Sequence, residues 1–156
     1  MNNLMRCLPL ASILFASTAI ADGEGTTAKS TSHPGKAEAD KCLRDKIWEG
    51  YSEGWAVRTA TNPVLGKGES KIYLVTLYAG NEYKFLVCGD QKTTDIDLAL
   101  HDSSGAVRVH DNNDSPDPVV EFTPDTTDTF YIAVYAQDIE GYEGGMSSVA
   151  MAVTYR

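Results

Sequence analysis

The densest oxygen chemistry in this sequence lies in one short run, Asp111-Asn112-Asn113-Asp114-Ser115-Pro116-Asp117. Hard cations such as calcium take about six to eight oxygens from carboxylates, amides and backbone carbonyls. Asp111, Asn113 and Ser115 alternate as at the start of a calcium loop, and Asp114 and Asp117 add charge. The EF-hand pattern then breaks: Pro116 stands at its glycine position and Phe122 at its closing glutamate. A calcium site would therefore be of another kind, with Asp111, Asn113, Asp114 and Asp117 as ligands and Asp95 joining from across a hairpin. The favoured alternative is a solvated turn, in which Asn and Asp bond their own backbone. No motif requires a cofactor.

Catalytic constellations are unmarked. Nucleophilic catalysis needs a positioned serine or cysteine, a base and an oxyanion donor. The sequence holds no G-x-S-x-G and no HExxH, and His33, His101 and His110 never fall at i, i+4. With 22 acidic residues, carboxylate pairs arise by chance and do not mark a glycosidase. Asp97 and His110 could form a carboxylate–imidazole pair for acid–base chemistry or pH sensing. The favoured reading is a structural cross-strand pair, worth about 0.2–1 kcal/mol. The expectation is a protein that is not an enzyme.

The cysteines speak for export. Met1 to Arg6 carry one positive charge, Leu8 to Ile20 are apolar, and Ala19-Ile20-Ala21 offers small residues where a signal peptidase reads. Residues 1–21 are thus expected to be a signal peptide, too short in its apolar run for a span of about 20 residues. Cys7 precedes that run, which argues against a lipoprotein. Cleavage of 21 from 156 residues leaves 135, enough for one core of ordinary size. Arg6 departs with the presequence, so 12 basic residues then face 22 acidic ones, a balance of −10. Such a surface repels nucleic acid and anionic lipid. Cys42 and Cys88 remain, an even pair in an oxidising compartment. Neither sits in a CxxC, and the favoured reading is a bridge over a catalytic thiol or a metal pair. Closing a loop of about 45 residues would stabilise the fold by about 3–4 kcal/mol.

The elements that must position these residues follow from periodicity. Residues 22–37 hold Gly, Ser, Thr and Lys with no large apolar side chain, and read as a disordered leader with an inert His33. Residues 38–62 read as a helical segment packed on the remainder. Leu43, Ile47 and Tyr51 recur at i, i+4 and i+8, and Gly50 sets the expected stop. Trp48 and Trp55 flank that stripe and are expected in the core, with a ligand platform as the alternative. From 63 to 156 the period becomes two. Lys71–Tyr78, Glu82–Val87, Thr94–Leu100, Ala106–His110, Val119–Phe122, Thr129–Ala136 and Val149–Tyr155 read as about seven strands. Short strands joined by Gly, Asp and Pro imply an antiparallel β-sandwich. If Leu98 and Leu100 share a face with Val107 and Val109, a four-residue loop pairs His101 with Ala106. Leu100 then stands opposite Val107, Leu98 opposite Val109, Asp97 opposite His110 and Asp95 opposite Asn112.

The ordered motifs resemble a known family. YLVTLYAGNEYKFLVCGD, then DIDLALHDSSGAVRVHDNND, then PVVEFTPDTTDTFYIAVYA are similar to the bacterial pre-peptidase C-terminal domain over about Ser70 to Tyr155. The resemblance implies a jelly-roll-like β-sandwich on exported proteins, acting in secretion, attachment or substrate binding. Here only a leader and a helical segment precede it, so an accessory role beside a protease is not carried over. The expected function is an exported, periplasmic or extracellular, non-catalytic binding or accessory module. It would recognise a protein, polysaccharide or envelope partner through its loops or one sheet face. Nucleic acid and a membrane span after cleavage are excluded as partners. The alternatives are a calcium-binding sandwich, a small secreted hydrolase and a self-assembling structural subunit, the last favoured by a long uncovered edge strand.

Overall fold

The computed structural model describes residues 32–156; the expected signal peptide and most of the expected leader lie outside these residues. One helix and nine strands follow in order. They are α1 (Lys36–Tyr51), β1 (Ala56–Thr61), β2 (Val64–Gly66), β3 (Ser70–Leu77), β4 (Tyr83–Gly89), β5 (Thr93–His101), β6 (Val107–Asp111), β7 (Val119–Phe122), β8 (Asp128–Ile139) and β9 (Met146–Tyr155). All pairings are antiparallel. One sheet has the order β1-β9-β4-β7, with β2 also on β9; the other has the order β3-β8-β5-β6. The fold is therefore a β-sandwich with a short N-terminal helix, as the alternation implies.

Strand β9 explains why the layers number three. Val149, Met151 and Val153 belong to the core between the sheets, while Ala150 and Ala152 belong to a second cluster with Ala39 and Leu43 of α1. A strand buried on both faces needs apolar residues at every position. The alanines leave room for the helix to lie close. Leu77, Phe85, Ile96, Leu98, Leu100, Ile132 and Val134 fill the inter-sheet core from the other strands. Cys42 and Cys88 are joined by a disulfide, with Cα atoms 6.0 Å apart, and tie α1 to β4.

Several elements depart from the expectation. Residues 56–61 form β1, where a helical segment to 62 was expected. Their side chains are nearly all exposed, so no period-two burial marks them. Pairing with the β9 backbone, from Ala56↔Tyr155 to Thr61↔Met151, holds them in place. Asn62-Pro63 breaks the edge, and β2 resumes on β9 from Val64↔Ser148. Trp55 is buried, as expected, but Trp48 is 76% exposed and Tyr51 69% exposed, because the helix rests on its Ala39–Leu43 end. Residues 32–37, read as leader, are placed: Gly35 precedes the helix and His33 packs edge-on to Tyr142.

Candidate functional site

The β5–β6 hairpin does not take the expected register. Asp102 N–H donates to the Ala106 carbonyl and Gly105 N–H to the Asp102 carbonyl, so the loop holds three residues instead of four. Asp102 Oδ1 also accepts from Ser104 N–H at 2.9 Å and Ala106 N–H at 3.0 Å. Gly105 completes the turn at φ +88°, a left-handed conformation open to glycine at little cost. His101 then faces Val107, not Ala106. A bulge at Arg108 adds one residue, after which Leu100 faces Val109, Ala99 faces His110 and Leu98 faces Asp111. The expected pairs Leu100–Val107, Leu98–Val109 and Asp97–His110 are therefore overturned. The expected shared face survives for Val109 alone: the bulge restores the odd parity there, while Val107, opposite His101, turns outward and is 52% exposed.

Asp97 consequently sits on the outer face of the four-stranded sheet, opposite Tyr135. Burial holds its carboxyl above the usual carboxylate value, and the charges of Asp95, Asp111 and Asp114 push it the same way against the pull of His110. A shallow cleft of about 350 Å³ opens beside it, lined by Asp97, Ala99, Val107, His110, Asp111 and Asn112 among others.

The run Asp111 to Asp117 is a turn whose oxygens are largely engaged. Asp111 Oδ1 accepts from Asn113 Nδ2 at 2.7 Å and Asn113 N–H at 3.3 Å, and Oδ2 accepts from Val119 N–H at 3.1 Å. Asp117 Oδ1 accepts from the Ser115 hydroxyl at 2.7 Å, and Oδ2 pairs with Lys46 Nζ at 2.9 Å. Burial pushes the Asp117 carboxyl up, but Ser115 and Lys46 together hold it below its ordinary value. Among the described residues, no three His, Cys, Asp or Glu side chains are grouped to hold a metal. Asp114 has no ion pair there.

Among the described residues, nothing covers the outer face of this sheet. Row by row, Ser70, Tyr135 and Asp97 align; then Ile72, Ala133, Ala99 and His110; then Leu74, Tyr131 and His101. Ile72 is 62% exposed and Leu74 69% exposed, on an edge strand of eight residues. Sequence reading located these strands without showing which face stays uncovered, since that depends on where α1 docks. A second cleft of about 190 Å³ lies between α1 and the other sheet beside Trp55, whose ring carries Lys84 Nζ at 4.6 Å and Arg156 Cζ at 4.5 Å. His33 Nδ1 accepts from Gly35 N–H, and His101 Nδ1 bonds the Gly105 carbonyl.

No helix among the described residues is long and apolar enough to cross a membrane. No protein-family model matches the sequence, and no curated protein matches it either. Solved structures of similar fold include the following two. Aeromonas hydrophila PliG, a periplasmic lysozyme inhibitor of g-type lysozyme, is 10% identical with a TM-score of 0.47, over 65% of this chain and 88% of that one. The pre-peptidase C-terminal domain of collagenase from Bacillus anthracis, the domain type that the strand motifs resemble, is 15% identical with a TM-score of 0.48, over 62% of this chain and 89% of that one.

Proposed function

We propose that this chain is an exported, non-catalytic module that binds a protein partner through the open face of its four-stranded sheet. The observation that carries the reading is an asymmetry between the two sheets. The five-stranded sheet is covered by α1 and its disulfide, whereas the other leaves Ile72, Leu74 and Tyr131 exposed side by side. Contiguous exposed apolar side chains on a sheet mark an interaction surface. Export is supported by the Cys42–Cys88 bridge, which persists in oxidising compartments.

The test is the double substitution Ile72→Ser and Leu74→Ser. Both side chains point to solvent, so the melting temperature is expected to stay within about 2 °C of the parent, surface changes costing about 0.5 kcal/mol or less. Capture of the partner from envelope or culture fractions is expected to be lost. Capture unchanged by the double variant would defeat the reading.

A further inference from the structure

We infer that the open sheet face receives a cationic protein, seating an arginine or lysine side chain in the trough floored by Ala99 and Ala133, with its charge at Asp97. This rests on the binding-face reading above and assigns the chemistry of the partner.

The trough follows from register. Ala99 and Ala133 are directly opposed across β5 and β8, and Tyr131 and Tyr135 flank Ala133 along β8. Two adjacent methyl groups between two larger rings leave a channel across the sheet. Asp97 lies two residues from Ala99 on the same face of β5, about 7 Å along the strand. That distance matches the apolar stem of arginine or lysine, which covers apolar surface while its charged head reaches a polar group. The tyrosine rings on either side suit a cation as well.

Charge selects the sign. Among the described residues, eight lysine or arginine pairs to carboxylates use Asp40, Asp45, Asp117, Asp138, Glu121, Glu140, Asp102 and Glu82. None uses Asp95, Asp97, Asp111 or Asp114. Asp95 Oδ1 is buried without a hydrogen-bond partner. Asp95 and Asp97 on β5, with the charges of Asp111 and Asp114 close enough to act on Asp97 and no lysine or arginine pair to any of them among the described residues, complement a positive surface. The chain's formal charge of −9 steers such a partner inward.

The experiment is a heteronuclear NMR titration of the isotope-labelled exported protein at pH 7. The probes are N-acetyl-arginine methylamide and its neutral citrulline counterpart. Saturable amide shifts are expected at Ala99, His110 and Ala133 with the arginine probe alone. Asp97→Asn is expected to weaken them at least tenfold, while Asp45→Asn, on the outer face of α1, stays within twofold. The Asp97 variant is expected to melt no lower than the parent, which separates lost binding from lost folding. Absence of saturable shifts, shifts centred elsewhere, or shifts retained in Asp97→Asn would overturn the assignment. A parallel capture assay separates the two levels. Retention that depends on Leu74 but not on Asp97 rejects the cation and keeps the face; retention that depends on neither rejects the face.

Discussion

At the scale of single residues, Asp90 and Asp97 show two fates of a carboxylate. The Asp90 side chain is fully buried and accepts hydrogen bonds from Ser148 N–H at 2.6 Å, Lys92 N–H at 3.0 Å and the Thr93 hydroxyl at 3.3 Å. Gly35 lies so close that a Cβ there would fall 1.9 Å from Asp90 Oδ2, so the residue before the helix must be glycine. Asp97 has repulsion where Asp90 has donors. Its folded pKa is raised by burial and neighbouring acids, so the fold favours the protonated form and ionisation costs stability at neutral pH. Asp97→Asn is therefore expected to raise the melting temperature at pH 7. The gain should shrink as the pH falls through the raised pKa towards 3.8, and parallel melts across that range check it. The calcium reading is tested in the same assay. A cation at Asp111, Asn113, Asp114 and Asp117 would displace the N–H and Lys46 donors already on Asp111 and Asp117. Melts with calcium and with chelator are expected to coincide. A rise of several degrees in calcium that vanishes in Asp114→Asn would establish the site instead.

Among the elements, α1 depends most on a single link. Its mean apolar burial is modest: Ala39 and Leu43 are buried, Cys42 and Ile47 pack partly, and Trp48 stacks on Tyr51 in solvent with centroids 5.9 Å apart. The Cys42–Cys88 bridge therefore supplies much of what holds the helix to β4. Replacing both cysteines with alanine is expected to lower stability by about 2–5 kcal/mol, measured by urea unfolding. An unchanged midpoint would show that the apolar contacts suffice. The β5–β6 hairpin teaches a complementary lesson. Its apolar faces were legible from the alternation of Leu98, Leu100 and Val109, but its pairing was set by Asp102, Gly105 and a bulge.

For the whole molecule, the arrangement of three layers determines what is left for a partner. α1 covers one sheet, and the other keeps an open face bounded by β3, an edge strand of eight residues without proline. Such an edge also favours the self-assembling reading. Light scattering at micromolar concentration decides between them, and a monomer is expected because the formal charge of −9 opposes association of identical chains. A dimer that dissociates on Leu74→Ser would move the open edge from partner binding to self-assembly.

The sequence by itself determined the class of fold and most of the strands, which depend on local periodicity, and the cysteine pairing, since Cys42 and Cys88 are the two cysteines that follow residue 21. Alternation in Ile96, Leu98 and Leu100 or in Phe130, Ile132 and Val134 is a property of the chain that survives any arrangement of the sheets. It also placed the acidic turn 111–117. Only the tertiary structure decided the rest. Strand β1 exists because β9 offers a backbone to pair with, which its own exposed side chains do not announce. Trp48 is in solvent because a helix can bury only the stripe that its docking angle selects. Above all, the trough of Ala99 and Ala133 and its neighbour Asp97 come from two strands far apart in sequence, β5 and β8. Register across a sheet is set by turns and by which face is covered, and neither is written in the residues that end up side by side.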